Sequence, residues 1–193
     1  ERSSRFISLS GLSGIAAGVC ALGGAWIAGG MLEGLPAGTS YAANFRLTVP
    51  GDTLTLKLLG LAAATFILAF ISAFYLTWRK AKNDKLPVWD HTTRRLCWNM
   101  FIPVAAGALF ILGMLQYNEW RFVAPSCLIF YGLGLVNASK YTLTDIRYLG
   151  YCEIILGLVN LFFIGYGLYF WAVGFGVLHI VYGVTMWFKY ERK

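Results

Sequence analysis

Long apolar runs, separated by short polar or glycine- and proline-rich intervals, set the pattern of this chain. The runs at residues 6–31, 54–78, 96–115, 122–138, 146–166 and 168–188 are predicted as helices of roughly bilayer length. Together they form one all-α domain over residues 1–193, an integral membrane protein with six transmembrane helices. The strongest polar interruption is residues 79–95, RKAKNDKLPVWDHTTRR, whose irregular part ends at Pro87. Asp90, or a threonine after it, is placed to cap the third helix. In the second polar interval, residues 137–147, Thr144 or Asp145 is placed to cap the fifth. Between the first two helices, Gly34, Pro36, Gly38, Pro50 and Gly51 exclude helix, and residues 41–49 read as extended. That loop is long enough to cap a cavity, to meet a partner or to serve as a tether. Residues 165–167 read as a very tight turn between the last two helices, and Pro103 is expected to kink the third.

Composition agrees with this pattern. The chain is 58% hydrophobic and 13% charged, where a soluble domain is about half apolar and a quarter charged. The net charge of +7 raises the question of nucleic acid, but the basic residues sort by loop instead. With residues 79–95 in the cytoplasm, Arg2, Arg5, Arg79, Lys80, Lys82, Lys85, Arg94, Arg95, Lys140, Arg147, Lys189, Arg192 and Lys193 share that side. Arg46, Lys57 and Arg121 fall on the other. This bias sets orientation, and it predicts both termini inside, in the cell membrane, which is the inner membrane in a bacterium. Trp78, Trp89, Trp98 and Trp187 then form one interfacial belt and Trp26, Trp120 and Trp171 the other. The expected partner is lipid, not nucleic acid. The first apolar run is too long for a cleavable signal peptide and lacks its flanking pattern. The chain begins at Glu1, so further residues are expected before it.

Ser10, Gly14 and Gly18 recur on one face of the first helix. Small residues at this spacing let helices approach closely in lipid, so the face serves intramolecular packing or a homodimer seam. The first and third runs align without gaps, Arg5 on Arg94 and Ala16-Ala17-Gly18 on Ala105-Ala106-Gly107. Tyr131-Gly132 in the fourth run matches Tyr182-Gly183 in the sixth. These matches suggest three hairpin repeats. The alternating glycine and aromatic texture of the last hairpin loosely resembles that of small six-helix stress proteins of the HdeD type. No motif is shared, so the resemblance implies no residue role or activity.

Candidate chemistry is sparse. Cys20, Cys97, Cys127 and Cys152 lie in apolar runs, with no metal-ligand or redox spacing, so neither a metal nor another cofactor is expected. No paired carboxylates and no hydrolase or metalloprotease motif appear, which argues against an enzyme. Ionisable residues within a span are functional candidates, and here they are Glu153 and His179. Asn160 shares the helix face of Glu153 and is expected opposite His179; Asn99 opens the third run at the depth of Glu153, in the cytoplasmic third. Two readings stand. In one, Glu153, Asn160 and His179 form a polar track for protons, with an imidazole that titrates near neutrality. In the other, His179 and Asn160 are interhelical hydrogen-bonding groups and Glu153 pairs with Arg94, Arg95 or Arg147. The first suits a small-solute or proton-linked carrier or channel. The second suits a non-transporting sensor or accessory subunit that binds a protein partner or an apolar ligand, for which the aromatics from Phe162 to Tyr182 offer a lining.

Overall fold

Apolar composition turns each long run into helix, because a backbone in lipid must satisfy its own hydrogen bonds, and the third helix continues through Pro103. In the computed structural model, which describes residues 11–33, 53–83, 89–117, 119–190 and 192, the order is α1 (Gly11–Glu33), α2 (Thr53–Asn83), α3 (His91–Gln116), α4 (Val123–Ala138), α5 (Ile146–Asn160) and α6. α6 is continuous but composite: an α-helical turn Gly167–Trp171, a π-helical segment Ala172–Leu178 and an α-helix His179–Tyr190. Ser10, Arg2, Arg5, Lys85, Pro87 and the loop residues 34–52 lie outside the described residues. Among those described, five helices are long and apolar enough to cross a membrane. The architecture is all-α and consistent with a multi-pass membrane protein.

Several boundaries differ from the sequence expectation, each for a local reason. α2 continues to Asn83, into the basic stretch. Lys80 and Lys82 in its last turn complement the helix dipole, and Lys82 Nζ sits 5.2 Å from the Trp78 ring centre. α3 starts at His91 because the Asp90 carboxylate caps it, accepting from Thr93 N–H and Thr93 Oγ1–H, both at 2.7 Å. These two bonds, the backbone one first, hold the Asp90 carboxyl below its usual range. α5 stops at Asn160 rather than 166, since the Asn160 amide donates to the Phe163 carbonyl at 3.1 Å and turns the chain. The expected tight turn at 165–167 is a 3-10 turn, Ile164–Tyr166, running straight into α6. At fifteen residues, α5 is about 22 Å long, short of the roughly 30 Å of a hydrocarbon core.

The packing has a centre. α6 lies between α1 on one side and the α4–α5 pair on the other; α2 packs outside α1 and α3 outside α4. α2 and α3, adjacent in sequence, make no substantial contact. Their outward faces carry exposed large apolar side chains, including the Phe66, Phe70 and Phe74 row, as suits helices against lipid.

Two of the crossings follow one template. On α1, Gly11, Ile15 and Gly18 meet Ile180, Gly183 and Trp187 of α6. On α5, Gly150, Ile154 and Gly157 meet Ile129, Gly132 and Val136 of α4. The spacings are the same, and so are the atoms in contact. A Cβ on Gly183 would stand 2.5 Å from the Gly11 carbonyl oxygen, and one on Gly132 would stand 2.6 Å from that of Gly150. Gly14 joins the first crossing, its Cβ position 3.2 Å from Gly183 Cα. The face carrying Gly14 and Gly18 is therefore covered by α6.

Gly183→Ala is expected to force backbone from backbone and to lower stability by about 1–3 kcal/mol, the scale of overpacking, despite alanine's better helix propensity. Gly30→Ala, at a position with open space around it, is expected to be neutral or slightly stabilising. Thermal unfolding of both variants in detergent checks the contrast, and equal midpoints would contradict the close crossing.

Candidate functional site

One stripe of α5 is buried along its length: Ile146, Leu149, Gly150, Glu153, Gly157 and Asn160. Glu153 stands at the midpoint of this helix and is fully buried, so the shortened α5 moves it from the expected terminal third to the centre of the element. Its carboxyl rests against Gly174 of α6, where a Cβ would lie 2.6 Å from Oε2 and would also collide with Leu128. Glycine at 174 makes the room for it. Neither carboxyl oxygen of Glu153 has a hydrogen-bond partner.

The nearest cationic candidate is His179, whose Nδ1 lies 3.5 Å from Glu153 Oε1. His179 is itself buried and is held at both ring nitrogens. Nδ1 is 3.0 Å from the Gly174 carbonyl; a carbonyl only accepts, so Nδ1 carries a proton. Nε2 is 2.8 Å from Tyr131 Oη. In neutral His179 the tyrosine hydroxyl donates to Nε2, and in the imidazolium the direction reverses. The Tyr131 and Phe175 rings flank the imidazole, with centroids 5.4 and 6.0 Å away, and the Trp171 ring lies tilted against Phe175.

The π-helical segment Ala172–Leu178 ends where His179 begins. Gly174 and Gly176 lie within it, two residues apart, and so face opposite ways. Gly174 is closed by Leu128 and Glu153, while Gly176 is closed by Leu22 of α1. α6 is clamped on both sides at the level of the Glu153–His179 pair. Single-turn π insertions occur frequently at functional sites.

The structure therefore brings Glu153 and His179 together and adds Tyr131, a residue the sequence argument had used only as part of a repeat. A hydroxyl at mid-span was the available signal. Asn160, also fully buried, is not the partner of His179; its amide is used at the end of α5 and its Oδ1 has no partner. Asn99 stays on its own helix, donating to the Arg95 carbonyl at 2.8 Å. Arg147 stacks on Tyr148, and the carboxyl of Glu153 meets His179 rather than an arginine. The aromatics of the last hairpin divide, with Phe162 and Tyr169 exposed and Phe175 turned to the imidazole. Among the described residues, no group of three His, Cys, Asp or Glu is placed to hold a metal.

At the end of the bundle where α5 begins and α6 ends, Asp145 does not cap α5 with its side chain. It accepts instead from Lys189 Nζ at 2.8 and 3.0 Å and from Tyr190 Oη at 2.8 Å. The Lys189 ammonium holds the Asp145 carboxyl below its usual range against the opposing effect of burial, with a further contribution from the Tyr190 hydroxyl.

Comparison with protein-family models, with curated proteins and with solved structures returns no match to this chain.

Two predictions follow from the geometry. Tyr131→Phe leaves His179 Nε2 without its buried partner and is expected to cost about 1–3 kcal/mol. Tyr182→Phe removes a buried hydroxyl that has no partner and is expected to be neutral or stabilising; chemical unfolding in detergent compares the two. The second concerns acid. Because the folded-state pKa of Asp145 is depressed, its stabilisation is present above the ordinary aspartate pKa and is lost as pH falls through the folded value. The gap in thermal midpoint between wild type and Asp145→Asn should be open at neutral pH and close in acid. A gap independent of pH would rule the clasp out as its source.

Proposed function

We propose that this chain is a proton-linked carrier or channel for a small solute, not an enzyme, and that Glu153 and His179 are its proton-binding site. The observation that carries this reading is a fully buried carboxyl, with neither oxygen hydrogen-bonded, 3.5 Å from an imidazole inside the bundle. An ionisable pair placed this way is costly in a membrane and marks ion or substrate pathways and proton relays. With one proton between them the two groups carry no net charge, whichever holds it. Adding or removing a proton changes the site by one unit charge, and the bundle must answer with water, a counter-charge or a solute.

The same proposal has the chain crossing six times with both ends in the cytoplasm, in the cell membrane. Support comes from the clasp: Asp145 before α5 touches Lys189 near the end of α6, while residues 161–166 join the opposite ends. α5 and α6 therefore run antiparallel side by side, and the loop distribution of lysine and arginine gives the sign. A homodimer through α1 would use the face of Val19 and Trp26, which are exposed.

A sensor remains the second reading, favoured by one feature. The π-helical segment beside the pair is a helix turn that a change of proton occupancy can reset without any solute passing.

The test is flux into liposomes containing purified protein, over a panel of small solutes, with and without a pH gradient. Wild type should show pH-driven flux, and Glu153→Gln should abolish it while remaining monodisperse. Unchanged pH-driven flux in the variant would refute the role of Glu153. Absence of flux across the panel in wild type would favour the sensor.

A further inference from the structure

Where α4 finishes and α5 begins, the bundle carries a cation without a counter-charge. Arg147, in the first turn of α5, is partly buried, and its Nε–H is buried with no hydrogen-bond partner. It makes no ion pair among the described residues. A guanidinium cannot give up its proton to escape this, and a buried donor of this kind costs free energy until an acceptor reaches it. The protein has none to spare at this end. The described carboxylates there are Asp90, which caps α3, and Asp145, which is bound to Lys189 and Tyr190. Glu153 lies ~9 Å further along α5 and meets His179.

The surroundings of Arg147 select the acceptor. α4 and α5 cross antiparallel, with Gly150 against Gly132 and Val136 and Gly157 against Pro125 and Ile129. Carrying that seam one turn past Gly150 sets Arg147 beside the last turn of α4, which ends at Ser139. Lys140 follows, its ammonium 3.1 Å from Asn137 Oδ1 and otherwise exposed. The guanidinium carbon of Arg147 lies 5.7 Å from the ring centre of Tyr148. Tyr148 is exposed and begins the outward row that continues through Tyr151, Ile155 and Val159. Arg147 therefore stands where the α4–α5 seam opens onto the outer surface of α5. It is at the terminal turn of its span, within snorkelling reach of the phosphate layer.

We infer that Arg147, with Lys140 beside it, binds the phosphate of an anionic phospholipid. The Nε–H and one terminal N–H of the guanidinium donate to two phosphate oxygens, a pairing whose geometry the arginine fork matches. Lys140 adds a second positive charge. Basic pockets between membrane helices recruit anionic headgroups by this chemistry. A lipid fits better than free phosphate because the exposed apolar row at Ile155 and Val159 continues from the site and carries the acyl chains.

Native mass spectrometry of the full chain, delipidated in mild detergent and titrated with phosphatidylglycerol or phosphatidylcholine, tests this. Wild type is expected to bind its first phosphatidylglycerol at least about ten-fold more tightly than phosphatidylcholine, the equivalent of one charge-assisted hydrogen bond. Arg147→Gln should remove that preference. Lys82→Gln, which deletes a charge at the same end but on α2, should keep it. Arg147→Lys retains the charge without the fork and should fall between wild type and Arg147→Gln, which keeps the test open if the glutamine variant does not fold. Equal losses in Arg147→Gln and Lys82→Gln would mean diffuse attraction and overturn the site. So would wild-type preference in Arg147→Lys. Displacement of phosphatidylglycerol by an equal concentration of inorganic phosphate would overturn the lipid as occupant.

Discussion

The architecture depends on how closely helices can approach where glycine removes the side chain. In lipid there is little hydrophobic drive between helices, so contact area and backbone proximity must hold them. At Gly11–Gly183 and at Gly132–Gly150 the backbones are near enough that a methyl group on either partner would strike a carbonyl oxygen. Because both crossings use one spacing template, α6 is fixed against α1 and α4 against α5 in a defined register. Gly174 and Gly176, facing opposite ways, then let α6 occupy the space between the two pairs. Without those glycines α6 could not be central, and His179 would not reach Glu153.

That placement brings an electrostatic constraint with it. A buried carboxyl with no hydrogen-bond donor is expensive as an isolated charge. The 3.5 Å approach to an imidazole lessens the cost by letting one proton serve both groups. His179 is in turn fixed by Gly174 and Tyr131, which set its tautomer and keep Nδ1 toward the carboxyl. The ring cannot rotate to relieve the pair without breaking both bonds. The site is thus held on the imidazole side by two hydrogen bonds and left without hydrogen bonds on the carboxyl side.

Much of the helical content was legible in the sequence because apolar run length reports directly on membrane-length helix, and the cap at Asp90 because its chemistry is local. The ends of α2 and α5 were not, since they are set by a tail of basic residues completing a helix and by an asparagine amide turning the chain. Glu153 and His179 stood out as ionisable residues in apolar runs. Their pairing was hidden because it depends on where α5 ends. Reading that helix to residue 166 put Glu153 near one end and Asn160 opposite His179, whereas ending it at Asn160 places Glu153 at its centre. Tyr131 and the π-helical segment were hidden for a different reason. Composition does not distinguish a tyrosine that aims its hydroxyl inward from one that faces lipid, and glycine runs signal close packing without saying that a turn will widen.

The bundle is lopsided, and the lopsidedness follows from the same glycines. The close crossings join the two ends of the chain, α6 with α1, and the consecutive helices α4 and α5, while α2 and α3 are left at the edges with bulky residues outward. On α3 the small residue Gly107 closes on Phe130 of α4, and on α1 Gly24 closes on Thr65 of α2, so each outer helix is attached by a single face. The buried ionisable side chains among the described residues, Glu153 and His179, lie at the interface of α4, α5 and α6. There Asp145 meets Lys189 and Tyr190 at one end, and further in Tyr131 meets His179 beside Glu153. Among the described residues the buried ionisable groups, Glu153 and His179, therefore lie in the second half of the chain, and α1 holds α6 against them.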